Sequence, residues 1–210
     1  MLTERQTVLA ALADRSIPTL LDRRVTPSSL VQAELPDLQR TRCLQFDELQ
    51  SPVIRTAIGY WMSKQENGAP MRRCHFDATE IPHLLPYLIL LEVLPHRRGL
   101  VAEPGIDFRY RVMGDVALRY SRANYTGKYF SEIEGKGPGS EVWSINNAVV
   151  EQRRPVLVRP PYVGPYHHVF HCEVSVMPMV DEQGDVARLL IAGDFLTDTP
   201  ESHNGLGARA

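Results

Sequence analysis

The densest set of donor atoms in the chain lies near its C-terminal end, at His167, His168, His171, Cys172 and Glu173. Imidazole, thiolate and carboxylate groups bind zinc, and imidazole is also an axial ligand for haem iron. Their arrangement argues against a site. The segment Tyr166–Val180 reads as a strand, so alternate side chains point to opposite faces. His167, His171 and Glu173 then share one face, and His168, Phe170 and Cys172 share the other. Only the first three can approach a single solvent-facing ion, and their spacing along a strand is wide. The reading is a polar edge plus one interior histidine, with no metal site expected. A metal- or haem-dependent sensor using the His167–His171 cluster remains an alternative, although no second motif supports His168 as a haem ligand. Neither Cys74 nor Cys172 lies in a pattern that suggests a flavin-reactive cysteine.

Catalytic patterns are equally thin. No Gly-x-Ser-x-Gly elbow surrounds a serine. The run Gly135-x-Gly137-x-Gly139 has no preceding strand and no Lys-Ser/Thr ending, so it reads as a hinge rather than a phosphate loop. Glu132 and Glu134 read as solvated surface. The chain is therefore expected not to be an enzyme, and no obligatory cofactor is expected. A different set is better suited to binding: Phe108, Tyr110, Trp143 and Phe170, with His168, are the candidate walls of a small-molecule site between a sheet and its helices. Plain core packing is the competing reading for the same aromatics. Arg109 and Arg111 alternate with Phe108 and Tyr110 and face outward, as a solvated or partner-binding sheet face.

Composition narrows the class. The chain has 210 residues, is 43% hydrophobic and carries a net charge of −2. A core of ordinary size is expected, without the global basic field of a nucleic-acid binder. Three widely spaced cysteines, Cys43, Cys74 and Cys172, make neither a disulfide framework nor paired metal spacing, so reduced thiols in a cytoplasmic protein are expected. No apolar run is long enough to cross a membrane, and the longest, around Leu84 to Leu94, is broken by Pro86 and Glu92.

The elements that position these residues follow from periodicity. Residues 1–44 hold Pro18, Pro27 and Pro36 and read as a partly disordered arm with a short helix near Thr7–Arg15. A firmer helix carries Leu49, Val53, Ala57 and Trp61 at i+4, started by Ser51-Pro52 and stopped by Asn67-Gly68. Shared between two chains, that stripe, from Phe46 to Trp61, would make a homodimer; cover by the chain's own sheet is the equal alternative. Strands follow over Tyr87–Leu94 and over Ile106–Val112, where Ile106, Phe108, Tyr110 and Val112 face one side. Short helices around Val116 and over Val142–Val149 precede Pro155. Three strands close the unit, Val156–Tyr162, Tyr166–Val180 and Val186–Leu196, the last two joined by a hairpin turn at 181–185. Residues 197–210 read as a disordered tail.

This order resembles a PAS domain, and the local sequence is similar to the PAS_5 type, found largely in alphaproteobacterial proteins. The residues that carry the resemblance begin with Tyr60-Trp61, Pro70 with Arg72 or Arg73, Ile81 and Leu84-Leu85-Pro86. They continue through the stretch Asp107 to Gly114, Thr126-Gly127-Lys128 and Arg154-Pro155, and end with Met177-Pro178 and the hairpin after it. The match spans roughly residues 45–196. It implies an α+β fold, a PAS-like five-stranded antiparallel sheet with helices packed on one face, preceded by an N-terminal helix. It also implies a stand-alone cytoplasmic sensor or adaptor in signalling, which binds a small molecule or a partner protein without catalysis. A pure interaction module with no ligand is the alternative.

Overall fold

Ser51-Pro52 starts a helix where the spacing predicts one. In the computed structural model of the chain, which describes residues 30–95, 105–166 and 169–197, helix α1 spans Pro52–Ser63. The Ser51 hydroxyl accepts from the Ile54 N–H at 3.1 Å, and proline occupies the first turn, where its missing N–H costs nothing. The chain reverses at Asn67 and Gly68, both with positive φ. A second long helix, Glu141–Gln152, is capped by Ser140 and ends at Arg153, in the left-handed region just ahead of Arg154-Pro155. Between the two lie three single 3-10 turns over residues 73–87 and a five-residue helix, Asp115–Arg119. We number the helices α1 (Pro52–Ser63), α2 (Asp115–Arg119) and α3 (Glu141–Gln152).

The strands are β1 (Arg42–Cys43), β2 (Met71–Arg72), β3 (Leu88–Pro95), β4 (Ile106–Met113), β5 (Val156–Arg159), β6 (Val169–Val180) and β7 (Val186–Thr197). They form one sheet in the order β1-β5-β6-β7-β3-β4, antiparallel throughout, with β2 added parallel to β6. The fold class is α+β, as expected. The expected count of five strands becomes seven, because the two-residue pieces β1 and β2 join five longer strands. The β6–β7 hairpin turns as predicted: Asp181 N–H donates to the Asp185 carbonyl at 2.9 Å, and Gly184 supplies the positive φ.

Helices cover both faces rather than one. Under α1 lie Leu88, Leu157, Met177, Met179 and Leu190, packed by Val53, Ile54, Ala57, Ile58 and Trp61. Under α3 lie Leu91, Val156, Val176, Leu189 and Ile191, packed by Ile145, Val149 and Phe130. The alternation along each strand assigns its residues to the two layers. The stripe on α1 is thus spent on the chain's own sheet, and Trp61 Nε1 donates to the Pro178 carbonyl at 2.8 Å. Residues 30–44, placed in an arm by composition, run along β5: Ala33 N–H donates to the Pro155 carbonyl and Gln32 bonds both Leu157 and Leu44. The expected helix at Thr7–Arg15 and residues 198–210 of the expected tail lie outside the described residues, while Thr197 ends β7.

One expected alternation fails for a local reason. Opposite Leu90 and Leu91, strand β4 contains one extra residue, Arg111. Such a bulge switches the side-chain phase beyond it. Val112 therefore pairs with Leu90 on the α1 side and is 52% exposed, instead of joining Phe108 and Tyr110. Gly114 follows, where the backbone touches the turn before β3. A Cβ there would lie 2.2 Å from the Leu85 carbonyl oxygen.

Candidate functional site

Before the bulge, the alternation of β4 puts Phe108 and Tyr110 on the α3 side. Phe108 is fully buried, with ring centroids 5.3 Å from Trp143 and 5.5 Å from Phe130, both edge-on. Tyr110 stacks on Phe130 at 4.9 Å and lies 5.6 Å from Tyr125. Phe130 is delivered by a 3-10 turn tied to β4 by a buried carboxylate. Ser131 Oγ donates to Asp107 Oδ2 at 2.6 Å, and the Phe108 N–H donates to Asp107 Oδ1 at 2.7 Å. Residues 127–128 pair with the outer edge of β4: Gly127 N–H donates to the Tyr110 carbonyl, and Tyr110 N–H to the Lys128 carbonyl.

The glycine run does more than separate helices. Gly135 and Gly139 take positive φ, and the turn between them holds Lys136 over the aromatic set. Its ammonium stands 5.4 Å from the Tyr125 centroid, 5.7 Å from Phe130 and 5.8 Å from Tyr110. Ring faces attract a cation, but loss of water opposes the charge. Burial wins here and holds the lysine below its usual range. Among the described residues no carboxylate lies within ion-pairing reach of it. Burial, and then the neighbouring Tyr125, push the Tyr110 phenol well above its ordinary range, so it stays neutral and serves as wall rather than acid or base.

The second polar group of this layer is Asn146, 1% exposed on the inward face of α3. It sits one turn from Val142 and Trp143 by helical spacing. Its Nδ2 is buried with no acceptor among the described residues. An unmet buried donor costs about 1–3 kcal/mol. An apolar enclosure with few polar anchors is the usual make-up of a small-molecule site.

Of the residues predicted to line a site, the structure brings together Phe108, Tyr110 and Trp143. His168 and His167 lie outside the described residues, and Phe170 is placed by its backbone alone, as the extra residue of a bulge in β6. Phe130, Tyr125, Lys136 and Asn146 were not anticipated. The one sequence signal for them was an asparagine within the apolar stripe of α3.

The donor set around His171 also differs from expectation. Glu173, expected on a solvent-facing edge, is fully buried. It accepts from the Ser51 N–H at 2.8 Å, from the Gln50 N–H, and from Arg159 Nη2 at 2.7 Å. Ser51 Oγ donates to Asp194 Oδ2 at 2.7 Å and accepts from the Ile54 N–H. Both functions of that hydroxyl are committed, so Ser51 works as a helix cap. Cys172 donates to the Pro160 carbonyl at 3.3 Å, and burial pushes its thiol up to about 12, which keeps it protonated. Among the described residues no group of three or more His, Cys, Asp or Glu side chains is placed to hold a metal ion. No described helix is long and apolar enough to cross a membrane.

A scan against protein-family models gave no match to this chain, and a search of curated proteins gave none either.

Proposed function

We propose that the chain is a PAS-type sensor or adaptor of the cytoplasm, which binds a small molecule between its sheet and α3 and passes occupancy to a signalling partner without catalysis. The strand order supports the PAS reading. Its five longer strands run β5-β6-β7-β3-β4, and the connection from β4 to β5 crosses one face of the sheet. The observation that carries ligand binding is the buried Nδ2 of Asn146 without an acceptor, one helical turn from Trp143. A ligand that presents an oxygen or aromatic nitrogen would satisfy that donor. An anionic group would find its counter-charge at Lys136. Filling or emptying the space shifts the balance between two packings of the 114–152 segment on the sheet.

The tight edge-on contacts among Phe108, Phe130 and Trp143 favour a second reading, in which the core is already full and the chain is purely an interaction module. Native mass spectrometry of the purified chain, with an absorbance spectrum of the same sample, separates the two. A non-covalent adduct that disappears in Asn146→Leu supports the sensor. A bare apo mass that added metabolite extracts never shift sinks it and leaves the interaction module.

A further inference from the structure

On the α1 side of the sheet, α1 lies over β6 and β7. The neighbouring surface of β3 and β4 carries charge. Glu92 pairs with Arg188 across one strand boundary and with Arg109 across the other. Arg188 Nη2 reaches Glu92 Oε1 at 2.8 Å, and Arg109 donates to Oε2 from both Nε and Nη2. Arg111 Nε stands 4.0 Å from the same carboxylate, an ion-pair distance but too long for a hydrogen bond. Arg73 adds its field at Arg188. Three arginines thus surround one glutamate, with a fourth close enough to act on Arg188, in a chain whose net charge is −2.

Glu92 is 8% exposed and cannot neutralise this group. Burial opposes its charge, but the bond from Arg109 and the fields of Arg188 and Arg111 outweigh that and hold its carboxyl below the usual range. Its structural effect is to fix the guanidinium groups. Arg109 is further backed by the Tyr129 ring, 5.5 Å away. Donors held this way lose little freedom when an anion arrives. The Arg111 side chain is half exposed. Beside it the bulge turns out Val112, an aliphatic side chain more exposed than buried.

From this surface we infer a docking site for an acidic segment of a partner protein, one that sets carboxylates against Arg109, Arg111 and Arg188 and an apolar side chain against Val112. The exposed valine within the cationic group favours a peptide over a nucleic-acid backbone, which would present it with phosphate. The inference rests on the sheet face alone and stands whether or not the α3 side holds a ligand.

The test is fluorescence anisotropy of the full chain with a labelled peptide alternating glutamate and leucine. Three comparison measurements accompany it: the same peptide with glutamine for glutamate, a single-stranded oligonucleotide of equal charge, and a salt titration. The glutamate peptide is expected to bind more tightly than the other two and to weaken as ionic strength rises toward about 0.3 M. Arg111→Glu should weaken it by about ten-fold or more, because a like charge then opposes the peptide. Val112→Ser should weaken it less. Arg42→Glu, the same charge change at the opposite edge of the sheet, should leave it unchanged. Equal binding of the glutamine peptide, tighter binding of the oligonucleotide, or indifference to Arg111→Glu in a chain with an unaltered melting curve would each overturn the inference.

Discussion

Each face of the sheet is covered by a twelve-residue helix, α1 on one side and α3 on the other. The layers beneath them differ in kind. Under α1 the packing is aliphatic around Trp61, and the carboxylates are met: Glu173 takes three donors and Asp194 takes the Ser51 hydroxyl. Two further atoms on that side, Ser175 Oγ and Arg159 Nε, have no partner among the described residues. Under α3 the packing is aromatic, and among the described residues a lysine held in it has no counter-ion and an amide donor has no acceptor. The α1 layer fixes one arrangement. The α3 layer keeps polar groups that no described residue pairs. A fold that must both persist and respond can divide the two tasks between opposite faces of one sheet.

The contrast can be broken from either side. The largest effect is expected at Glu173→Ala, which strands the Arg159 guanidinium and the Gln50 and Ser51 N–H groups just ahead of α1. Removing one member of a buried ion pair costs about 3–5 kcal/mol, and urea unfolding should show a loss on that scale. A loss under about 1 kcal/mol would mean that the network does not hold the α1 layer. A smaller change of opposite sign is expected at Asn146→Leu. The ligand-free variant should gain about 1–3 kcal/mol in the same measurement, since a donor with no acceptor is removed. A loss of stability in the ligand-free state would show that the asparagine is already satisfied and would erase the difference between the layers.

The smallest effect concerns Lys136. Burial lowers its folded-state value, so between that value and the ordinary lysine value of about 10.4 the unfolded chain binds more protons and stability rises with pH. Below the folded value the cost of the buried ammonium is fully present. Lys136→Met removes this dependence, so the variant's stability advantage should shrink between about pH 7 and about pH 10. A gap that stays constant over that interval would mean the ammonium is well solvated.

Much of the framework was legible from the chain. Ser51-Pro52 and Arg154-Pro155 marked helix boundaries because capping and proline sterics are local. The 181–185 turn was visible for the same reason. The bulge at Arg111 was not, because nothing local distinguishes it from continued alternation, and it reversed the reading of Val112. Glu173 was misplaced because its partners, Gln50, Ser51 and Arg159, come from two distant segments. Of the site, the β4 aromatics and Trp143 followed from strand and helix periods. Lys136 lies in a turn with no period, and the enclosure around it exists only once residues 108–146 have folded back on themselves.

The short pairings at the sheet margins have a consequence for assembly. Beyond β5 lies β1, and beyond β4 lies the strip at 127–128, which takes both main-chain groups of Tyr110, so part of each edge that another chain would need for strand addition is already in use. Edges shortened in this way offer less main chain for growth into cross-β stacks or for an added strand. Recognition by side chains on a face would leave specificity to charge and shape rather than to main-chain hydrogen bonds.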